Sequence, residues 1–201
     1  MTRITPLSPA DRSRAAATLA RAFRNDPLWS WVFPDTRHRL CRLQQLFRWY
    51  LGVGLHYGTV EVSSDLSGVA MWLDDSWSEL GLPLPLLLSG LVLPLQLGLV
   101  PLCRMMAAER LNTRLHRQLI TGRHEHLAEL GVLPEAQGRG VGTALVQHRL
   151  EKTELPCYVE TQSKPNVRFY QRLGFELKAC VPLRNSPVTV WCLVRPGREK
   201  V

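Results

Sequence analysis

Hydrophobic and polar residues follow two different periods along the first half of the chain. After a capping-type start at Ser8, apolar residues recur every fourth position at Ala15, Leu19 and Phe23, which predicts an amphipathic helix over residues 8–23. A second helix is predicted over about residues 37–56. The stretch GTVEVSSDLSGVAMWL instead predicts a β-hairpin of two short strands, with its turn at residues 63–67.

The second half of the chain alternates between strand and helix patterns. In order, the sequence predicts a basic helix near residues 103–122, a strand at 126–133, a helix ending at about 152, a strand at 157–161, a helix at 165–174, and closing strands at 175–181 and 188–194. Strands that alternate with helices pair in parallel, since the helix makes the crossover. We therefore expect an α/β sandwich with parallel pairing at its centre.

An uncharged segment from Leu80 to Cys103 is long enough to imitate a membrane span. It contains Pro83, Pro85, Pro94 and Pro101, and each proline inside a helix removes a hydrogen bond. The pattern therefore favours two or three short apolar helices, which together form an apolar insertion, over an integral membrane span.

Composition places the chain among globular proteins, with 201 residues of which 45% are hydrophobic and 21% charged. We expect one domain made of an N-terminal half (1–79), the helical insertion (80–123) and a ligand-binding core (124–195). The net charge of +8 suits an anionic ligand and solubility equally well. No nucleic-acid partner is expected.

Cysteine usage and the N-terminus both bear on the compartment. Five cysteines without a CxxC pair argue against a disulfide frame and against a metal site. The first residues contain no apolar stretch typical of a secretory signal. The sequence therefore predicts a cytoplasmic protein.

Three glycines at alternate positions, Gly138, Gly140 and Gly142, lie between a predicted strand and a predicted helix. Such a turn presents free backbone N–H groups at the positive end of a helix, where phosphate binds. The loop is not a Walker loop, because Gly142 is followed by Thr143 and not by lysine. A dinucleotide fingerprint requires GxGxxG, although Glu160 lies at a suitable distance for it. A purely structural turn also stays open.

The string QGRGVG, residues 137–142, is similar to the QxxGxG/A signature of the GNAT superfamily of N-acetyltransferases. The segments CYVETQSKPNVRFYQRLGFE and LGVLPEAQGRGVGTAL resemble the family's other motifs in the family's order. The resemblance implies a GNAT fold with a mixed sheet of about six or seven strands flanked by helices, and an apolar helical insertion before the cofactor-binding strand. It also implies acetyl-CoA as co-substrate, a primary amine of a small molecule as acceptor, and direct transfer between them. A homodimer stays open.

The resemblance also implies cofactor-binding positions. The pyrophosphate would be bound by the backbone of Gln137, Gly138, Arg139, Gly140, Val141, Gly142 and Thr143, with the Arg139 side chain at the rim. Leu130 and Val132 would bind the pantetheine arm through the open edge of their strand. That edge exists only if the strand at 157–161 splays away. Asn166 would meet the cofactor arm.

For catalysis, the family's thiol-protonating tyrosine corresponds to Tyr170. His126 lies eleven residues before Gln137, where related enzymes often carry the general base. Its unperturbed pKa also suits that role. His124, Glu129 and an ordered water stay open as alternatives.

The period-2 rule predicts that His124 and His126 share one face of their strand. By the same rule, Glu125 and Glu129 share the other face.

For the acceptor, Trp29, Trp31 and Phe33 with Asp26 could line a pocket or could be core residues. Two other functions stay open, an acetyltransferase for protein amino groups and a non-catalytic acyl-CoA sensor.

Overall fold

The computed structural model describes residues 2–74 and 84–198, which contain one seven-stranded sheet with helices on both faces. The strands are β1 (Ile4–Pro6), β2 (Gly58–Ser63), β3 (Gly68–Asp74), β4 (Glu125–Val132), β5 (Cys157–Thr161), β6 (Glu176–Pro182) and β7 (Thr189–Arg195). The helices are α1 (Arg12–Ala22), α2 (Pro27–Val32), α3 (Thr36–Tyr57), α4 (Leu84–Leu97), α5 (Leu99–Leu119), α6 (Val141–Leu150) and α7 (Lys164–Arg172).

The sheet has the order β1-β2-β3-β4-β5-β7-β6. Its central pair, β4 and β5, is parallel, and every other pair is antiparallel. This confirms the predicted mixed α/β sheet. The sequence did not predict β1 or α2, because elements of three and six residues are too short to display a period.

Two layers of helices cover the sheet. α1 and α3 pack on one face in a core that includes Leu19, Phe47 and Met71. α6 and α7 pack on the other face around Leu145 and Val159. α5 lies on the first face, against β7. Helices therefore cover both faces of the sheet, and a ligand must enter through an opening between these elements.

β4 and β5 pair over two residues only. Glu125 and His126 lie opposite Cys157 and Tyr158, and beyond them the ladder ends. The remainder of β4 keeps its antiparallel partner β3, so its side toward β5 is an open edge. β4 and β5 therefore separate after His126 and Tyr158, as the sequence analysis expects.

A β-bulge interrupts β4 at Ala128. Met71 pairs with Glu129 and Trp72 with Leu127, so one residue of β4 has no partner. A bulge of one residue shifts the alternation of faces by one position. The part of β4 after the bulge therefore presents side chains to the opposite face from the one predicted by an unbroken period.

The apolar insertion differs in part from its prediction. Residues 80–83 of it lie outside the described range, and α4 and α5 account for the remainder. α4 continues through Pro94 and ends before Gly98, whose φ of +90° stops the helix. Pro101 lies in the first turn of α5, where its missing N–H has no intrahelical acceptor. The break is therefore made by a glycine and not by these prolines.

None of the helices in the described ranges is long and apolar enough to cross a membrane.

Candidate active site

Two cavities meet at the opening between β4 and β5. The first, which we call the loop cavity, has a volume of about 740 Å³ and lies against the glycine loop. The second, the acidic cavity, has a volume of about 480 Å³ and lies between β4, α3 and α5. Both are lined by Phe23, Asp26, Leu130, Asn166 and Tyr170. A molecule in one cavity can therefore contact a molecule in the other at this junction.

The glycine loop is built for close approach to its backbone. Gly138 and Gly140 have φ of +75° and +81°, a region that residues with a Cβ rarely adopt. A Cβ on either would meet no protein atom within 4 Å, so the space beside the loop is open. Gly140 caps α6, whose first N–H groups, from Val141 to Thr143, have no acceptor within the helix. This geometry suits an anionic group.

Gln137 and Arg139 differ from their expected positions. The backbone N–H of Gln137 donates to the Leu133 carbonyl at 3.1 Å, so it is not free for a ligand. Its side-chain amide donates to the Val132 carbonyl at 3.1 Å and ties the loop to the end of β4. Arg139 is exposed and does not line the loop cavity. Gln137 thus shapes the loop.

Two arginines that sequence reasoning did not select, Arg21 and Arg172, line the loop cavity. Arg21 is held by an ion pair with Glu135 at 2.9 Å. Both provide positive charge beside the glycine loop.

The main-chain groups of Leu130 and Val132 face the open edge of β4. Before the bulge, the N–H of Glu125 donates across to the Pro156 carbonyl on the β5 side. After it, the N–H of Leu133 donates to Ser67 on the β3 side at 2.8 Å. Because alternate residues face alternate sides, Leu130 and Val132 direct their N–H groups toward β5, where no strand accepts them. An extended ligand can pair with this edge.

Replacing Gly140 with valine is expected to weaken about 5- to 30-fold the binding of acetyl-CoA, the ligand that the sequence resemblance implies. A Cβ disfavours the left-handed backbone by about 1–2 kcal/mol and fills the space that the ligand needs. The matched control is Gly122→Val, because Gly122 has a similar φ of +74° and equally open surroundings but lines neither cavity. An unchanged Kd for acetyl-CoA, measured by calorimetry on a folded Gly140→Val variant, would refute the role of the loop.

Tyr170 lies on α7 at the junction of the two cavities. Its ring is buried against Phe169 and Phe175 at centroid distances of 5.1 and 5.7 Å. Burial, with the charges of Glu129 and Glu160, raises the pKa of Tyr170 above its ordinary value. The phenol therefore stays protonated and can act as a donor.

His126 forms a buried pair with Glu160. Its Nε2 lies 2.9 Å from a carboxylate oxygen of Glu160, and its Nδ1 is buried without a hydrogen-bond partner in the described part of the chain. Burial alone would lower the pKa of His126, but the charge and hydrogen bond of Glu160, with the charge of Glu109, raise it. Burial likewise opposes ionisation of Glu160, yet His126 holds its pKa below the usual range.

His124 shares a face with His126, as predicted, but lines neither cavity. Its Nε2 lies 2.7 Å from Nε2 of His116, and its Nδ1 lies 2.6 Å from the Gly122 carbonyl. Burial and the nearby charge of His126 lower the pKa of His116 to about 4. His116 is therefore neutral near pH 7 and stacks on Tyr158 at 4.3 Å.

The prediction that Glu125 and Glu129 share a face is wrong. Glu125 forms an ion pair with Arg149 of α6 at 2.6 Å, whereas Glu129 lines the acidic cavity on the same side as His126. The bulge at Ala128 is the cause, because it reverses the alternation between these two residues. Burial, with the charges of Glu160 and Asp26, raises the pKa of Glu129 well above its ordinary value.

Only part of the expected aromatic set reaches the acidic cavity. Trp29 and Asp26 line it. Asp26 caps α2 by accepting from the N–H groups of Leu28 and Trp29. Phe33 is fully buried and stacks on Trp29 with centroids 6.2 Å apart, so it is a core residue. Trp31 lies elsewhere, with the Arg104 guanidinium 5.2 Å from its ring centroid.

Several residues of the acidic cavity were not found from the sequence. They are Trp49 and Tyr50 of α3, Glu109 and Asn112 of α5, and Glu160 of β5. The spacing of Glu109, Asn112 and His116 is i, i+3 and i+7, which places polar groups on one side of a helix. That signal was available in the sequence.

This architecture is the α/β GNAT fold, which confirms the predicted fold class. Residues 105–177 match the family model described as an acetyltransferase (GNAT) domain. The match covers part of α5, β4, the glycine loop, α6, β5 and α7, and it includes three of the five residues that line both cavities, Leu130, Asn166 and Tyr170.

Solved structures share the fold over nearly the whole chain. One, described as histone acetyltransferase HPA2 and related acetyltransferase from Corynebacterium glutamicum, has a TM-score of 0.69 and 20% identity over 100% of this chain and 99% of its own. An agmatine N-acetyltransferase has a TM-score of 0.62 and 16% identity, with coverages of 96% and 98%. The ribosomal-protein-S18-alanine N-acetyltransferase from Escherichia coli has a TM-score of 0.53 and 13% identity, with coverages of 100% and 97%.

Proposed function

We propose that the protein is an acetyl-CoA-dependent N-acetyltransferase that acts on a primary amine of a small molecule. The observation that carries this proposal is the junction at which Tyr170 and Asn166 line both cavities. One cavity has a backbone suited to a pyrophosphate and an extended arm, and the other has carboxylates suited to an amine. The junction is where an acyl group and an amine would meet.

Acetyl-CoA supplies an activated thioester. Its pyrophosphate fits the first N–H groups of α6, and Arg21 and Arg172 add positive charge nearby. Its pantetheine arm fits the open edge formed by Leu130 and Val132. Asn166 is fixed by its hydrogen bond to the Thr161 hydroxyl at 3.2 Å and faces the same opening.

His126 takes the proton from the acceptor through ordered water in the acidic cavity, as the amine nitrogen forms its bond to the acetyl carbon. Glu160 raises the proton affinity of His126 and stabilises the imidazolium that results. Tyr170 donates a hydrogen bond to the sulfur as the C–S bond breaks. No cysteine lines either cavity in the described part of the chain, which supports direct transfer.

The co-substrate is tested by thermal unfolding with acetyl-CoA, CoA, NAD and NADP. A ligand at ~100 times its Kd stabilises the folded state by roughly 2.7 kcal/mol. Acetyl-CoA and CoA are expected to raise Tm. Stabilisation by NAD or NADP alone would refute the choice of co-substrate.

The transfer is tested by release of the CoA thiol with a panel of small amines, a peptide with a free N-terminus, and no acceptor. The panel includes puromycin, because the segments ARAFRNDPLW and GVAMWL resemble puromycin N-acetyltransferase and its relatives. It also includes agmatine, the acceptor named for one structural neighbour. Release with small amines is expected. Release with the peptide alone indicates a protein acetyltransferase, and binding without release indicates a sensor.

A further inference from the structure

The charge of the acidic cavity is opposite to that of the whole protein. The chain carries a formal net charge of +8. The acidic cavity is nevertheless lined by Asp26, Glu109, Glu129 and Glu160, and no lysine or arginine is among its described lining residues. Of these carboxylates, only Glu160 has an ion-pair partner, His126, within the described ranges.

Two buried acceptor atoms of the cavity have no hydrogen-bond partner among the described residues. One is Nδ1 of His126, a residue only 8% exposed, and the other is Oδ1 of Asn112. When His126 donates from Nε2 to Glu160, its Nδ1 carries a lone pair. An unpartnered buried acceptor is costly unless a ligand supplies a donor. Two residues of the cavity lining, His126 and Asn112, therefore each carry an unsatisfied acceptor.

The carboxylates of the cavity come from separate elements of the fold. Asp26 lies at the junction, because it also lines the loop cavity. Glu109 is exposed on α5, one turn before Asn112, and lines the acidic cavity but not the loop cavity. On β4, Leu130 at the junction and His126 are four residues apart, which corresponds to on the order of 10 Å. Trp29, Trp49 and Tyr50 add apolar walls to the same cavity.

We propose that the acceptor of the acidic cavity is a dication, in which an apolar spacer joins the reacting amine at the Tyr170 junction to a second ammonium or guanidinium group at Glu109 and Asn112. This inference rests on the proposed function and specifies its substrate class. At the reacting nitrogen, the new C–N bond replaces the C–S bond, and the proton passes through ordered water to His126. The second group keeps its protons and charge, and the aromatic walls contact the spacer.

The state of the carboxylates supports this assignment. Burial raises the pKa of Asp26 to about 6, against the effect of its two backbone hydrogen bonds. The pKa of Glu129 is also raised. A bound dication supplies the missing positive charge and lowers both pKa values. Binding near pH 6 is therefore accompanied by proton release.

The kinetic test compares linear diamines with n-alkylamines of the same chain length at constant ionic strength. We expect kcat/KM to be about 10- to 100-fold higher for the best diamine than for its matched monoamine. Glu109→Gln is expected to lower this ratio about 3- to 5-fold. The control is Glu151→Gln, which removes an exposed charge outside both cavities and keeps the ratio. Equal kcat/KM for each pair would overturn the proposal.

A binding test separates this inference from the proposed function. Calorimetry with CoA present, in buffers of different ionisation enthalpy near pH 6, measures affinity and proton release together. Tighter binding of the diamine with proton release supports the inference even without turnover. If the diamine binds more tightly and releases protons but no amine is acetylated, the acetyltransferase function is refuted while the inference about the cavity holds. Equal affinity for diamine and monoamine would overturn the inference while leaving acetyl transfer intact.

Discussion

Tyr170→Phe is expected to lower kcat by about 100- to 10,000-fold, the range typical of general acid–base groups. The substitution removes only the hydroxyl and leaves the ring in its contacts with Phe169 and Phe175. The KM for acetyl-CoA should therefore change little. A loss of kcat without a loss of affinity assigns the hydroxyl to the reacting state.

Tyr158→Phe is the matched control. Tyr158 is fully buried on β5, donates its hydroxyl to Cys192 at 3.3 Å, and lines neither cavity. Its variant is expected to lose some stability and to keep kcat. If Tyr170→Phe also keeps full kcat at every pH, the thiolate leaves without help and the assignment is wrong.

His126→Ala is expected to lower kcat by about 100-fold or more at low pH, with partial recovery at high pH. The base must be neutral to accept a proton, and Glu160 raises the pKa of His126. The activity of the wild type should therefore rise through a pKa above the ordinary histidine value. At high pH the acceptor amine loses its proton to solvent. The His126→Ala variant can then transfer the acetyl group without a base on the protein, and part of its activity returns. The measurement is the pH profile of kcat/KM.

Three variants distinguish His126 from its alternatives. Glu160→Gln removes the charge that raises the pKa of His126, so the acidic limb should move to lower pH. Glu129→Gln should leave that limb in place, and so should His124→Ala. If Glu129→Gln abolishes the limb and His126→Ala preserves it, Glu129 is the base. If no variant shifts the profile, deprotonation occurs through water.

The fold could be predicted from the sequence where a period extends over several turns or a full hairpin. The helix at residues 37–56, the hairpin at 59–73 and the strand at 157–161 all agree closely with the structure. The end of α4 could not be predicted in the same way. The sequence pattern predicts a break at Pro94, but a proline costs one hydrogen bond, whereas Gly98 with φ +90° redirects the backbone.

The bulge in β4 limited the prediction of the site. Whether a strand inserts a residue depends on its partner, here Met71 and Trp72 of β3, and not on its own pattern. The bulge brings Glu129 to the side of His126 and directs the N–H groups of Leu130 and Val132 to the open edge. Neither the position of Glu129 nor the direction of these N–H groups can be predicted from the alternation of apolar and polar residues along β4.

The acidic cavity depends on contacts distant in sequence. Glu160 meets His126 across 34 positions of the chain, and Asn112 approaches Glu160 at 3.5 Å from α5. The glycine loop, in contrast, could be recognised because its function lies in consecutive residues.

The most direct test of the central claim follows the acetyl group itself. Acetyl-CoA labelled in its acetyl carbonyl is incubated with the protein and the preferred amine, and the label is located by mass spectrometry. We predict labelled amide in equal amount to free CoA, with none on the protein. Free CoA without labelled amide, or label that accumulates on the protein, would contradict direct N-acetyl transfer.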